Sequence, residues 1–128
     1  MERRALQIAI ALAACVPVAG GLKGVWLGAR GFGAWPGGPA DSHFRYLSGL
    51  LLAIGIAYCA CIPNVERRGA SIRALTAIVV VGGLSRLAGW MLLAGDPGSM
   101  RWALVMELGV APAICLWQTR VAAPRAAI

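Results

Sequence analysis

Residues 79–95, VVVGGLSRLAGWMLLAG, read as most of a membrane span with one arginine, Arg86, set into it. An isolated charge near the centre of a bilayer costs at least about 2.5–3.5 kcal/mol on insertion scales. The stretch is therefore a span only if Arg86 turns toward other helices and meets a partner there. The rest of the chain has to supply both.

Composition agrees with a membrane setting. The 128 residues are 59% hydrophobic and 13% charged, with a mean hydropathy of +0.74, too little polar surface for an ordinary soluble domain. A spanning helix needs about 20 mostly apolar residues, and four segments reach that length, approximately 5–28, 43–62, 72–94 and 100–118. They use up most of the chain. The expectation is a single all-α domain over 1–128, an integral membrane four-helix transmembrane bundle of up-down topology. No room is left for a soluble catalytic domain.

The net charge of +7 would suggest nucleic acid in a soluble protein. Here the basic residues gather at span ends, where they set topology, and no nucleic-acid partner is expected. Arg3, Arg4, Arg67, Arg68, Arg73, Arg120 and Arg125 fall on one side, against Arg30, Arg45 and Arg101 on the other. That bias predicts both termini in the cytoplasm, with the chain multi-pass in the membrane. The N-terminal MERRALQIAIALAACVPVAGG has the charged start and apolar stretch of a signal peptide. Against cleavage, the apolar run continues through Val25, Trp26 and Leu27.

The connections carry their own signals. The loop at 29–42 is rich in Gly and Pro and holds Phe32 and Trp35, suited to the interface. Asp41 or Ser42 is expected to cap the second helix and Ser71 the third. The second helix should end near Pro63, and GDPGS at 95–99 reads as a tight turn that makes the last two spans antiparallel neighbours. Trp26, Trp90, Trp102 and Trp117 lie toward span ends.

Arg86 lies eight residues before Ala94, and Glu107 lies seven after Met100. At 1.5 Å per residue both sit roughly 10–12 Å below the same boundary. Small residues mark packed faces of membrane helices, and each span offers a set: Gly20, Gly24 and Gly28; then Arg45, Gly49, Ala53 and Ala57; then Gly82, Ser85, Arg86 and Gly89; then Ala103, Glu107, Ala111 and Cys115. Glu107 is thus the expected partner of Arg86. Arg45 and His43 would stand at the mouth of the same polar cluster, with Lys23 snorkelling toward it. Lys23, Arg45 and Arg86 against Glu107 leave an excess of positive charge unless Asp41 turns inward, and such an excess invites an anion or a polar head. The competing reading is a structural bridge that fixes helix register.

Cys15, Cys59, Cys61 and Cys115 all fall within the expected spans. Cys59 and Cys61 point to nearly opposite helix faces, which spoils them as a chelating pair, and disulfides are not expected. No Ser/His/Asp constellation, phosphate-binding glycine loop or metal-ligand spacing is found in the sequence. No catalytic residue, metal or cofactor is expected.

The motifs DSHFRYLSG (41–49), ERRG (66–69) and GGLSRL (82–87), followed by Glu107, resemble the bacterial family described as domain of unknown function 4345. The resemblance runs from about Val16 to Gln118, on Asp41, Phe44, Arg45, Gly49, Glu66, Arg67, Gly83, Arg86 and Glu107. It implies a small four-helix membrane protein and no activity. A fainter similarity, of architecture only, is to DoxX-like membrane proteins, some of which accompany quinone-linked redox enzymes.

The functional expectation is a non-enzymatic binder of an amphipathic or anionic ligand, a lipid or quinone head, held by Arg45, Arg86 and Glu107 with His43, Lys23 and Asp41 nearby. The alternative is an accessory subunit, with a purely structural Arg–Glu pair and small-residue faces for a membrane-protein partner or a second copy. A third is a proton-coupled carrier or membrane redox component that uses Glu107.

Overall fold

The computed structural model describes residues 1–93, 98 and 100–122, and within them every element is helical. Helix α1 spans Glu2–Leu27 and runs into a 3₁₀ turn at Gly28–Phe32. Helices α2 and α3 span Gly38–Cys61 and Gly69–Leu93. The last segment is α4 (Met100–Val105), a π-helical turn (Met106–Val110) and α5 (Ala111–Ala122). Among the described residues four helices are long and apolar enough to cross a membrane, the last being the continuous Met100–Ala122. The GDPGS turn and Arg125 lie outside the described residues, apart from Gly98 with φ of +51°.

The expected caps are corrected. Helix α2 starts at Gly38, ahead of Asp41 and Ser42, and α3 starts at Gly69, ahead of Ser71. Pro39 explains the first shift, because its fixed φ and missing N–H suit the first helical turn. For the second, the Ile72 amide donates to the Arg68 carbonyl at 2.9 Å, so the backbone closes the turn without Ser71.

The chain divides into two compact units, one of Met1–Ala13 with Cys61–Ile128, the other of Ala14–Ala60. The division within α1 falls where Pro17 interrupts the ladder: a proline cannot donate to the carbonyl four residues back, here that of Ala13.

In the Ala14–Ala60 unit, α1 and α2 approach backbone to backbone. A Cβ added to Gly21 would lie 2.6 Å from the Leu52 nitrogen, and one added to Gly55 would lie 2.7 Å from Val18 Cγ2. Added to Gly24, it would collide with the Ser48 hydroxyl. The contacts pair rising numbers on α1 with falling numbers on α2, so the two helices run antiparallel. The packed stripe is therefore Gly21, Gly24 and Gly28 against Ser48, Leu52 and Gly55. Gly20, by contrast, meets only Leu51 at 3.8 Å, and Gly49 only Val25 at 4.0 Å.

In the other unit, α3 lies along the last span. A Cβ on Gly83 would come within 2.8 Å of Leu108 and 2.9 Å of Glu107, whereas Gly82 and Gly89 have nothing within 4 Å. Ile72, Thr76 and Gly83 are buried on one side of α3, and Leu104, Ile114 and Gln118 on the last span. At the far end the connection after α2 is held by side chains. Arg3 donates to the Pro63 carbonyl at 2.8 Å, Gln7 to Ile62 at 2.7 Å and the buried Gln118 to Val65 at 3.0 Å. Arg3 also pairs with Glu66 at 3.1 Å. These bonds satisfy carbonyls just past the end of α2, where no helical donor follows.

Adjacent glycines should respond differently to the same substitution. Gly21→Val is expected to destabilise the solubilised protein by about 1–3 kcal/mol through overpacking, and Gly20→Val by much less. Thermal unfolding in a mild detergent checks this, and equal losses would refute the packing.

Candidate functional site: two intrahelical-depth ion pairs

Arg86 and Glu107 meet, as their matched depth requires. Arg86 Nε donates to Glu107 Oε2 at 3.1 Å and Arg86 Nη2 to Oε1 at 3.0 Å, a bidentate pair. A third nitrogen, Nη1, lies 3.1 Å from Met100 Sδ. The approach is possible because Gly83, one turn before Arg86 on α3, has no side chain to hold Glu107 away. The Glu107 side chain is 17% exposed, but that of Arg86 is 38% exposed.

Glu107 occupies the π-helical turn. There the Ala111 amide donates to the carbonyl of Met106, five residues back. Pro112 follows immediately. In a regular helix its ring would press on the Leu108 carbonyl, and widening one turn relieves that contact. Turns of this kind recur at functional positions. The wide turn thus precedes Pro112 directly, and Glu107 is carried within it.

The second pair lies in the other unit. Asp41 is buried and accepts from the Ala29 amide at 2.8 Å and from Arg45 Nε at 2.9 Å. Arg45 Nη1 donates in turn to the Val25 and Trp26 carbonyls at 2.6 and 3.1 Å. These are last-turn carbonyls of α1, which lack the helical N–H donors that carbonyls earlier in the helix have. The cation therefore sits at a helix C-terminus, where the helix dipole favours it. Gly28, with φ of +62°, carries the chain past the pair, since a Cβ there would collide with the Asp41 carboxylate.

Asp41 does turn inward, which halves the positive excess read from the sequence. Of the three cations, Arg45 and Arg86 each hold a carboxylate. Lys23 is left exposed, with its ammonium 4.7 Å from the centre of the Phe32 ring. Phe32 also packs against Phe44 with ring centres 5.2 Å apart. His43 is exposed, and its ring lies 6.4 Å from that of Tyr46. It takes no part in the Asp41–Arg45 bonds.

None of the four cysteines is in a disulfide: Cys15 and Cys59 are exposed, Cys61 is buried and Cys115 is partly so. Among the described residues no three His, Cys, Asp or Glu side chains come close enough together to hold a metal ion.

A family model described as domain of unknown function (DUF4345) matches residues 5–118. The chain belongs to the DUF4345 family. Comparison with curated proteins and with solved structures finds no match. Several of the residues on which the DUF4345 resemblance rests make the contacts described above. Asp41 holds Arg45, Arg86 holds Glu107, Gly83 lets Glu107 approach, and Phe44 packs on Phe32. Glu66 of ERRG holds Arg3.

Gln7, Gln118, Ser48 and Pro112 were not singled out from the sequence. A signal was available for the two glutamines, which are uncharged polar residues inside otherwise apolar spans.

The Asp41 network makes a direct prediction. Asp41→Asn removes the charge that holds Arg45 over the end of α1 and should lower the thermal midpoint by several degrees. His43→Ala should leave it unchanged. Circular dichroism melts of the two variants in the same detergent decide the point, and an unaltered Asp41→Asn midpoint would contradict the capping role.

Proposed function

We propose that the protein is a non-enzymatic binding protein of the bacterial cytoplasmic membrane, multi-pass with an up-down bundle and both termini in the cytoplasm. Its ligand is an amphipathic molecule, a lipid or a quinone, whose polar head lies against the Arg86–Glu107 pair. The observation that carries this reading is the exposure of Arg86. A guanidinium seven residues inside the end of α3 is about 10 Å along the helix from that end, yet 38% of its side chain is uncovered. Hydrocarbon is a costly neighbour for that surface. A polar head would cover it and use the guanidinium N–H groups that Glu107 leaves free, since Arg carries five donors.

The Asp41–Arg45 pair is left out of this proposal because Arg45 already bonds a carboxylate and two helix-end carbonyls, which accounts for it as a cap on α1. The bidentate closure of Arg86 on Glu107 favours a second reading. In it the pair only locks helix register, and a partner protein covers the exposed guanidinium.

Native mass spectrometry of protein released from its own membrane in mild detergent separates the two. A defined adduct in the wild type should be lost in Arg86→Ala. It should also be lost in the charge-exchanged variant carrying Arg86→Glu and Glu107→Arg, whose restored pair keeps the fold. Bare wild-type protein, under conditions that preserve known lipid complexes, would overturn the ligand reading. A stoichiometric second protein would favour the accessory one.

A further inference from the structure

The opposite ends of α3 and α5 carry an open groove that the Arg86–Glu107 site does not involve. Glu66, Arg67, Gly69, Arg73, Gln118 and Thr119 are among the residues that line it, with a volume near 460 Å³. Both helices end there, at the N-terminus of α3 and the last turns of α5, so the groove stands at the depth of lipid head groups.

Three features of the groove point to one chemistry. Arg68 supplies the carbonyl that starts α3, accepting from Ile72, so the amides of Gly69, Ala70 and Ser71 have no acceptor within the helix. Helix N-termini with such amides bind phosphate. Arg67 is exposed and Arg73 is exposed, and among the described residues neither guanidinium is held by a hydrogen bond or an ion pair. Glu66, the acid of the lining, pairs with Arg3, and its side chain is only 6% exposed. Arg73 Nη1 is brought against Gly69, since a Cβ there would lie 3.1 Å from it.

The third feature is Gln118, 1% exposed, whose Nε2 donates to the Val65 carbonyl while its Oε1 has no partner. Both amide atoms, Oε1 and Nε2, lie against Gly69, each 3.2 Å from where a Cβ would stand. An unpaired buried carbonyl oxygen costs about 1–3 kcal/mol, and a donor reaching it from the groove would recover that. The occupant therefore needs a phosphate for the cations and amides, and a hydrogen-bond donor for Gln118.

We propose that this groove binds a phosphoglycerol head group, its phosphate on Arg67, Arg73 and the α3 amides and a glycerol hydroxyl donating to Gln118 Oε1. Basic pockets at the ends of membrane helices hold anionic lipid heads in this way. The site is independent of the Arg86–Glu107 reading, which can fail without affecting it.

Calorimetric titration of the full-length protein in a neutral detergent, at fixed ionic strength, tests the proposal. The probes are short-chain phosphatidylglycerol, short-chain phosphatidylcholine and free glycerol 3-phosphate. Phosphatidylglycerol should bind at least about tenfold more tightly than phosphatidylcholine, a difference of about 1.4 kcal/mol. Arg67→Gln with Arg73→Gln should abolish that preference, while Arg4→Gln with Arg68→Gln, which removes equal charge outside the lining, should preserve it. Binding of glycerol 3-phosphate as tight as that of the lipid would support the site and assign it to a soluble phosphate. Equal affinity for the two lipids, or equal losses in the two double variants, would overturn the proposal. All variants alter exposed arginines, and retention of the wild-type thermal midpoint shows that they are folded.

Discussion

The pairing of Arg86 with Glu107 is the constraint on which the arrangement of α3 and the final span depends. Each group alone would be expensive within a span, so the two helices must lie side by side in one register, with Gly83 at their closest approach. Along the rest of that face, Gly69 meets Gln118 and Gly83 meets Leu108, the same register read at other levels. The pair does not need to add net stability to do this. Buried ionic pairs often break even against apolar packing, and fixing register is among their better supported roles.

The same economy governs the helix ends. An apolar chain has few donors to spare, and those it has are spent on backbone carbonyls. Arg45 takes two at the end of α1, and Arg3, Gln7 and Gln118 take three in the connection after α2. In each case a polar side chain within or beside a span answers the loss of helical partners at a terminus. Seen this way, Arg86 is the exception: its bonds go to the side chains of Glu107 and Met100 rather than to a backbone carbonyl, and it is far from a helix end.

Length and hydropathy sufficed for the four helices, because burial of about 20 apolar residues is a property of composition. The Arg86–Glu107 contact was equally legible, since two opposite charges at matched depth have little choice. The small-residue faces were harder. At 20–21 and at 82–83 the sequence offers two adjacent glycines, which point about 100° apart. In both pairs the second one makes the close contact, and only the neighbouring helix decides which. The start of α2 was misplaced for a similar reason: Asp41 fits a cap by type, but its acceptor oxygens go to Ala29 and Arg45 instead. The π turn needed Pro112 to be read together with Glu107, a local conflict that hydropathy does not register.

A double-mutant cycle on Arg86→Gln and Glu107→Gln, measured by equilibrium unfolding in lipid–detergent mixtures, tests the central pairing most directly. The account predicts that either single change is destabilising and that the double variant loses much less than their sum, with a coupling near 1 kcal/mol, within the span measured between polar groups in membrane helices. Losses that add to within about 0.3 kcal/mol would mean that the two residues do not interact, and would contradict it.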